Sequence, residues 1–170
     1  MSFDNLAKRI ANKDERAFEE LYTKINKAVF SVCFGVIKNE TVAIELSQDT
    51  FIAVWNNVNS FKGTGFKTWI LTIAKNKSIN YLNKRKKEVI TDFSEDEYYV
   101  SNNDYNIEDS VILKCAIEKL NEIDREILLL KNSGMKMKEI AEYLKIPRGT
   151  ISWRYSEALK ILKKEIEVVR

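Results

Sequence analysis

Residues 136–162 constrain the fold of this chain more than any other stretch: Lys-Met-Lys-Glu-Ile-Ala-Glu-Tyr-Leu-Lys-Ile-Pro-Arg-Gly-Thr-Ile-Ser-Trp-Arg-Tyr-Ser-Glu-Ala-Leu-Lys-Ile-Leu. Two short helical patterns are joined by a tight turn. The first covers about Met137–Leu144, with Ile140, Ala141 and Leu144 on one face and a small residue, Ala141, where two helices must cross. Pro147 suits the first turn of the next helix, because its φ is preset and an N–H there has no intrahelical partner. In that second helix Ile151, Tyr155, Ala158 and Leu162 recur at helical spacing and face inward, leaving Arg148, Ser152, Trp153 and Ser156 on the other side. This is the pattern of a helix-turn-helix, whose second helix enters the DNA major groove; the competing reading is an ordinary helical hairpin. Lys145 stands in the turn, where a positive φ would cost roughly 1–2 kcal/mol.

The rest of the chain is written in the same alphabet. With one Pro and five Gly in 170 residues, and Leu, Ile, Lys and Glu abundant, it reads as nearly all helical. A helix is expected at about Asp4–Ile10. Another starts at an Asp14 N-cap, runs past Phe18, Leu21, Tyr22 and Ile25, and continues through Val29–Ile37. After the polar break at Lys38–Thr41, Thr41 is the expected cap of a helix carrying Ala43, Leu46, Phe51, Val54 and Trp55. Asn56–Gly65 breaks the pattern again, and Phe66–Lys87 forms one more helix. Beyond residue 109, one helix carries Val111, Leu113, Ile117 and Leu120. A second carries Ile127, Leu128 and Leu130 and ends at Asn132-Ser133-Gly134.

Charge divides the chain into three. Residues 1–87 carry a net +7, residues 88–109 carry −8 with no base at all, and residues 110–170 carry +4. Two basic modules flanking an acidic connector point to a polyanion partner. The connector would repel DNA when the chain is free. From Thr50 to Lys87 there is no acid and there are eight bases, among them Lys62, Lys67, Lys75, Lys84, Arg85 and Lys86, with Phe61, Phe66, Trp69 and Tyr81 interleaved. Flat faces for unstacked bases beside cations for phosphates are what single-stranded nucleic acid needs; the plainer reading is a solvated basic face over core aromatics.

Several classes fall away. The chain has no histidine, which removes His general bases, His metal ligands and Ser-His triads together. No glycine-rich phosphate loop and no metal-spaced carboxylate cluster appears, so no catalytic residue, metal or cofactor is expected. Cys33 and Cys115 lie far apart in apolar stretches and read as buried free thiols. The longest apolar run, Ala28–Ile37, is too short to span a bilayer, and no signal-peptide pattern opens the sequence. The expected location is the cytoplasm. A stand-alone repressor or activator would explain residues 136–162. It would leave the acid-free aromatic and basic stretch without a role, and no dimer signature accompanies the motif.

Taken in order, these segments resemble the extracytoplasmic-function sigma factors, promoter-specificity subunits of bacterial RNA polymerase. The first module matches at Asp14-Glu15-Arg16-Ala17-Phe18-Glu19-Glu20-Leu21-Tyr22, at Ala43-Ile44-Glu45-Leu46-Ser47-Gln48-Asp49-Thr50-Phe51 with Val54-Trp55, and from Phe61-Lys62-Gly63 to Trp69 and Ile73-Ala74-Lys75-Asn76. The second matches from Leu120 through Ile127, at Glu139-Ile140-Ala141, and at Gly149-Thr150-Ile151 with Arg154. The resemblance implies an all-α protein of two small helical domains, residues 1–87 and 108–170, joined by a flexible acidic linker at 88–107. It implies that Glu45, Leu46, Gln48, Asp49, Phe51, Val54 and Trp55 dock on the polymerase, whose β and β′ subunits are the expected partners. It also implies that Phe61, Lys62, Lys67, Trp69, Lys75, Asn76, Asn80, Asn83, Lys84, Arg85 and Lys86 recognise and melt the −10 element of promoter DNA. At the −35 element, Arg148, Ser152, Trp153 and Ser156 would read bases while Thr150 and Arg154 meet phosphates. An anti-sigma factor is the further partner it implies, with no membrane insertion by this chain.

Overall fold

A computed structural model of the chain describes residues 2–89 and 119–169, and every described element is helical. They are α1 (Phe3–Ala11), α2 (Glu15–Ile37), α3 (Glu40–Asn57), a 3-10 turn (Val58–Ser60), α4 (Phe66–Val89), α5 (Glu122–Asn132), α6 (Met137–Leu144) and α7 (Arg148–Val169). The acidic connector, the helix bearing Val111, Leu113 and Ile117, and Cys115 lie outside the described residues.

Local chemistry sets the helix starts. Asp14 caps α2 by accepting from the Ala17 N–H at 3.1 Å. That bond, helped by the Arg9 guanidinium, holds the Asp14 carboxyl below its ordinary range. The cap of α3 is Asn39, two residues ahead of the expected Thr41: its Oδ1 accepts from Val42 N–H at 3.0 Å, and the helix already includes Glu40 and Thr41. Lys38 can then close α2 in the left-handed region, at φ 60°, within one residue of the next helix. Asn121 caps α5 in the same way, accepting from Asp124 N–H. Pro147 precedes α7 rather than lying in its first turn; its carbonyl accepts the Ile151 N–H.

The first domain wraps α1, α3 and α4 around α2. Its interior holds Leu6, Ile10, Leu21, Ile25, Val29, Phe34, Ala43, Phe66, Ile70 and Leu71. Burial pushes the Cys33 thiol above its ordinary value, as expected of a core cysteine. The second domain packs α5, α6 and α7 about Ile127, Leu130, Ile140, Ile151, Ala158 and Leu162. The turn between α6 and α7 does place Lys145 at φ 56°, ψ 39°.

The domains do not stand apart. Ile127, Leu129, Leu130, Met135, Ile140, Tyr143 and Ile151 belong to the same buried cluster as Phe34, Ile70 and Ala74. Gly35 of α2 faces Leu129 of α5 so closely that a Cβ there would sit 3.2 Å from Leu129 Cδ1. The two modules of the sequence thus fold against each other across α2 and α4.

Candidate nucleic-acid and partner interfaces

Three helix faces carry the candidate residues, and each is sorted by which way its helix turns. On α3, Leu46 and Val54 are buried and Phe51 is only 5% exposed. Phe51 meets Phe18 edge-on at 6.3 Å and Tyr22 at 4.8 Å; Trp55 is half-buried against Phe18 at 5.1 Å, with the Lys13 ammonium 4.9 Å over its ring. These apolar members of the expected docking set are therefore core, because they lie on the side of α3 that meets α2. Glu45, Gln48 and Asp49 are exposed, and they share their side with two residues that the sequence reading passed over, Ile44 and Ile52. Ile52 is 59% exposed. An isolated apolar residue in water is ordinary, but Ile44 and the half-exposed Tyr22 stand on one groove, with Ile52 about two turns along the same side of α3. Ile44, Gln48, Tyr22, Lys27 and Phe30 line a groove of about 210 Å³ between α2 and α3. The signal that could have found Ile44 and Ile52 was their spacing of eight, two turns plus a little, in step with Gln48 and out of step with Ala43, Leu46, Thr50 and Val54.

On α4, the buried side is formed by Phe66, Ile70, Leu71, Ala74 and Ser78. Opposite them, Thr72, Asn76, Asn80, Asn83, Lys84 and Lys87 form one exposed stripe rich in amides and ammoniums. At its N-terminal end Phe61 packs on Phe66 at 5.0 Å and Trp69 at 5.6 Å, fixing the loop that carries exposed Lys62. Asp4 of α1 pins the start of α4 by accepting from the N–H groups of Gly65 and Phe66. Lys86 is exposed and Arg85 half-buried. Lys67 and Lys75, expected beside the others, are placed differently. Lys67 Nζ lies 2.9 Å from Glu139 Oε1, and Lys75 Nζ lies 2.8 Å from Glu126 Oε2. Both turn towards the second domain, because Lys67 falls on the core side of α4 and Lys75 on its flank. A count of charges along the sequence carries no facing, so it grouped them with Asn80 and Lys84.

On α7, Trp153 is 63% exposed and Arg148, Gly149, Thr150 and Ser156 are exposed with it; Ser152 is half-buried at the edge. The Ser156 hydroxyl donates to the Ser152 carbonyl at 3.1 Å. Arg154 is not presented with them. Its Nη1 donates to Asp124 Oδ1 at 2.8 Å, tying α7 to the first turn of α5. The pair is only partly exposed, so Arg154 braces α7 against α5.

Among the described residues no group of His, Cys, Asp or Glu is arranged to hold a metal ion, and no helix is long and apolar enough to cross a membrane.

Comparison with known proteins adds the following. The description "Sigma-70 region 2" matches residues 21–88, and "Sigma-70, region 4" matches residues 110–162. The ECF RNA polymerase sigma factor SigW of Bacillus subtilis is 26% identical over 94% of each chain. The sigma factor RpoE of Bartonella quintana, solved with the anti-sigma factor NepR, superposes with a TM-score of 0.69 at 25% identity, over 90% of this chain and 98% of that one. CnrH, solved with the cytosolic domain of CnrY, shares the fold with a TM-score of 0.65 at 23% identity, over 96% of each chain.

Proposed function

The chain belongs to the extracytoplasmic-function group of the sigma-70 family, and from that premise we propose how its surfaces divide the work of a promoter-specificity subunit of RNA polymerase. Residues 1–87 form the unit that binds core polymerase and the −10 element, residues 88–107 the connector, and residues 108–170 the unit that binds the −35 element. The exposed side of α3, with Glu45, Gln48, Asp49, Ile44 and Ile52, docks on the polymerase. The stripe from Thr72 to Lys87, with Phe61, Lys62 and Trp69 at its head, receives the −10 strand as it leaves the duplex. Its amides can meet base edges, and its cations meet phosphates.

The exposed first half of α7 enters the major groove at −35. Arg148 suits bidentate bonds to a guanine, and Trp153 suits apolar contact with a thymine methyl. The protein performs no catalysis of its own. It works in the cytoplasm against core polymerase, promoter DNA and an anti-sigma factor; the last is supported by the complex in which RpoE was solved.

One observation carries this reading: the two sigma regions match in order, and each match falls on a helical domain that leaves a polar helix face uncovered. Run-off transcription with purified core polymerase tests it. The chain should confer initiation at defined start sites that core enzyme alone does not use. Tight, sequence-specific duplex binding by the isolated chain at physiological salt, with no effect on core polymerase, would favour a repressor instead.

A further inference from the structure

The loop at the head of the −10 stripe is held from outside itself. Gly65 immediately precedes α4, and its carbonyl accepts the Trp69 N–H at 3.0 Å. At that position Ser, Asp or Asn would cap the helix from extended backbone. Gly65 stands instead at φ 88°, in the left-handed region that favours glycine, and it has no side chain to offer. α1, α2, α3 and α5 are capped by their own preceding residues, Ser2, Asp14, Asn39 and Asn121. For α4 the acceptor comes from 61 residues away: Asp4 Oδ1 takes the Gly65 N–H at 3.1 Å and the Phe66 N–H at 2.9 Å.

Little else fixes the loop on that side. Gly63, at φ 96°, and Gly65 are both exposed, and a Cβ on either would meet nothing within 4 Å. Between the loop and α1 lies a cavity of about 210 Å³ lined by Asp4, Ala7, Lys8, Ala11, Val58 and Phe61. At the other end of the loop, Phe61 is seated on Phe66 and Trp69. The loop therefore hangs between a ring cluster and one carboxylate. Residue 4 also lies ahead of residues 21–88, the span matched to sigma-70 region 2, so no role comes to it from that match.

We propose that Asp4 is a positioning residue for promoter melting: by capping α4 across the fold, it holds Phe61–Gly65 and the first turn of α4 in the shape that receives the −10 strand. The proposal rests on the assignment of that loop and of α4 to the −10 element. Asp4 acts through the loop and needs no contact with DNA. α1 thereby gains a task beyond packing Leu6 and Ile10 into the core. An acid beside a surface meant for phosphates is otherwise a liability, since like charges repel; its two backbone donors give it a reason to be there.

Polymerase reconstituted with full-length Asp4→Ala and Asp4→Asn chains tests this, on a promoter that the parent chain uses in run-off transcription. Permanganate reactivity of unpaired thymines, followed in time at several holoenzyme concentrations, separates closed-complex affinity from the rate of melting. Asp4→Ala should melt about five- to tenfold more slowly, the scale of losing a helix cap. Its closed-complex affinity and its competition for core polymerase should match the parent's. Asp4→Asn keeps the Oδ1 acceptor and should recover most of the rate. Gly65→Ala strains the same bonds from the loop side, with open space for its methyl group, and should repeat the defect. In the double variant Asp4→Ala, Gly65→Ala the two defects should not multiply, because both break one contact. Parent-like melting by Asp4→Ala or by Gly65→Ala overturns the proposal, as do multiplying defects or an Asp4→Asn chain as slow as Asp4→Ala. Equal losses in core competition and in melting overturn it too, since a general weakening of the fold does that. Failure of the α4 assignment is read separately: polymerase carrying the Asn80→Ala, Lys84→Ala chain then melts promoters normally, whereas failure of the Asp4 role alone leaves that chain slow.

Discussion

Changing adjacent residues of α3 separates packing from docking. Phe51 is 5% exposed and touches the rings of Phe18 and Tyr22, whereas Ile52, the next residue, is 59% exposed and meets water. Truncating a buried phenylalanine costs roughly 3–5 kcal/mol, lost ring contacts included. Phe51→Ala should therefore lower stability by about 3–4 kcal/mol, which at about 2–4 °C per kcal/mol is a fall in Tm of about 10 °C. Ile52→Lys removes no buried contact and should stay within about 0.5 kcal/mol of the parent in urea unfolding followed by circular dichroism. In competition with labelled parent chain for core polymerase, the ranking should reverse. An exposed apolar anchor at the centre of an interface is worth about 2 kcal/mol or more, so Ile52→Lys should compete about 30-fold less well. Phe51→Ala, assayed well below its Tm, should compete nearly normally. The reasoning is refuted if Ile52→Lys competes like the parent, or if Phe51→Ala unfolds like the parent yet fails to bind.

Other outcomes follow from single contacts. Arg148→Ala in the holoenzyme should lose about 1–3 kcal/mol at one −35 base position only, as read by a scan of −35 substitutions. Arg154→Ala should weaken every −35 sequence alike and destabilise the second domain by about 1–2 kcal/mol, because it leaves the partly buried Asp124 carboxylate without its cation, held only by the Asn121 amide; a base-specific loss would return Arg154 to the DNA. Lys145→Gly should stabilise the second domain by about 0.5–1 kcal/mol in thermal unfolding, since glycine adopts the φ of 56° without strain. Burial raises the Glu139 carboxyl, but the Lys136 N–H and the Lys67 ammonium outweigh it, and the folded value lies below the ordinary 4.5. That contribution is complete above about pH 4.5 and is lost as pH falls through the lower folded value. Urea midpoints measured from pH 7 to 3 should thus decline less in Glu139→Gln than in the parent.

Much of the secondary structure was legible because it depends on near neighbours. The Asp14 cap, the span of α6, the inward set Ile151, Ala158 and Leu162, and the outward Trp153 all follow from spacings of three and four residues. The misplaced cap of α3 is a local error of another kind: Asn39 and Thr41 are both competent caps, and the choice fell to Lys38, which closes α2 early enough for Asn39 to begin the next helix.

By itself the sequence determined an all-helical chain, a helix-turn-helix at residues 136–162, and the family whose motifs recur in order along it. Each is carried by residue type at fixed spacing. Facing was a tertiary decision. Leu46, Phe51 and Val54 became core because α2 covers that side of α3, while Ile44 and Ile52 were left outside. Lys67, Lys75 and Arg154 became ion-pair partners because Glu139, Glu126 and Asp124, which lie 72, 51 and 30 residues away, were folded against them. A cation is the same letter whether it meets a phosphate or a carboxylate. The packing of the second domain on α2 and α4 fixed what Lys67 and Lys75 meet, and the packing of α7 on α5 within that domain fixed what Arg154 meets.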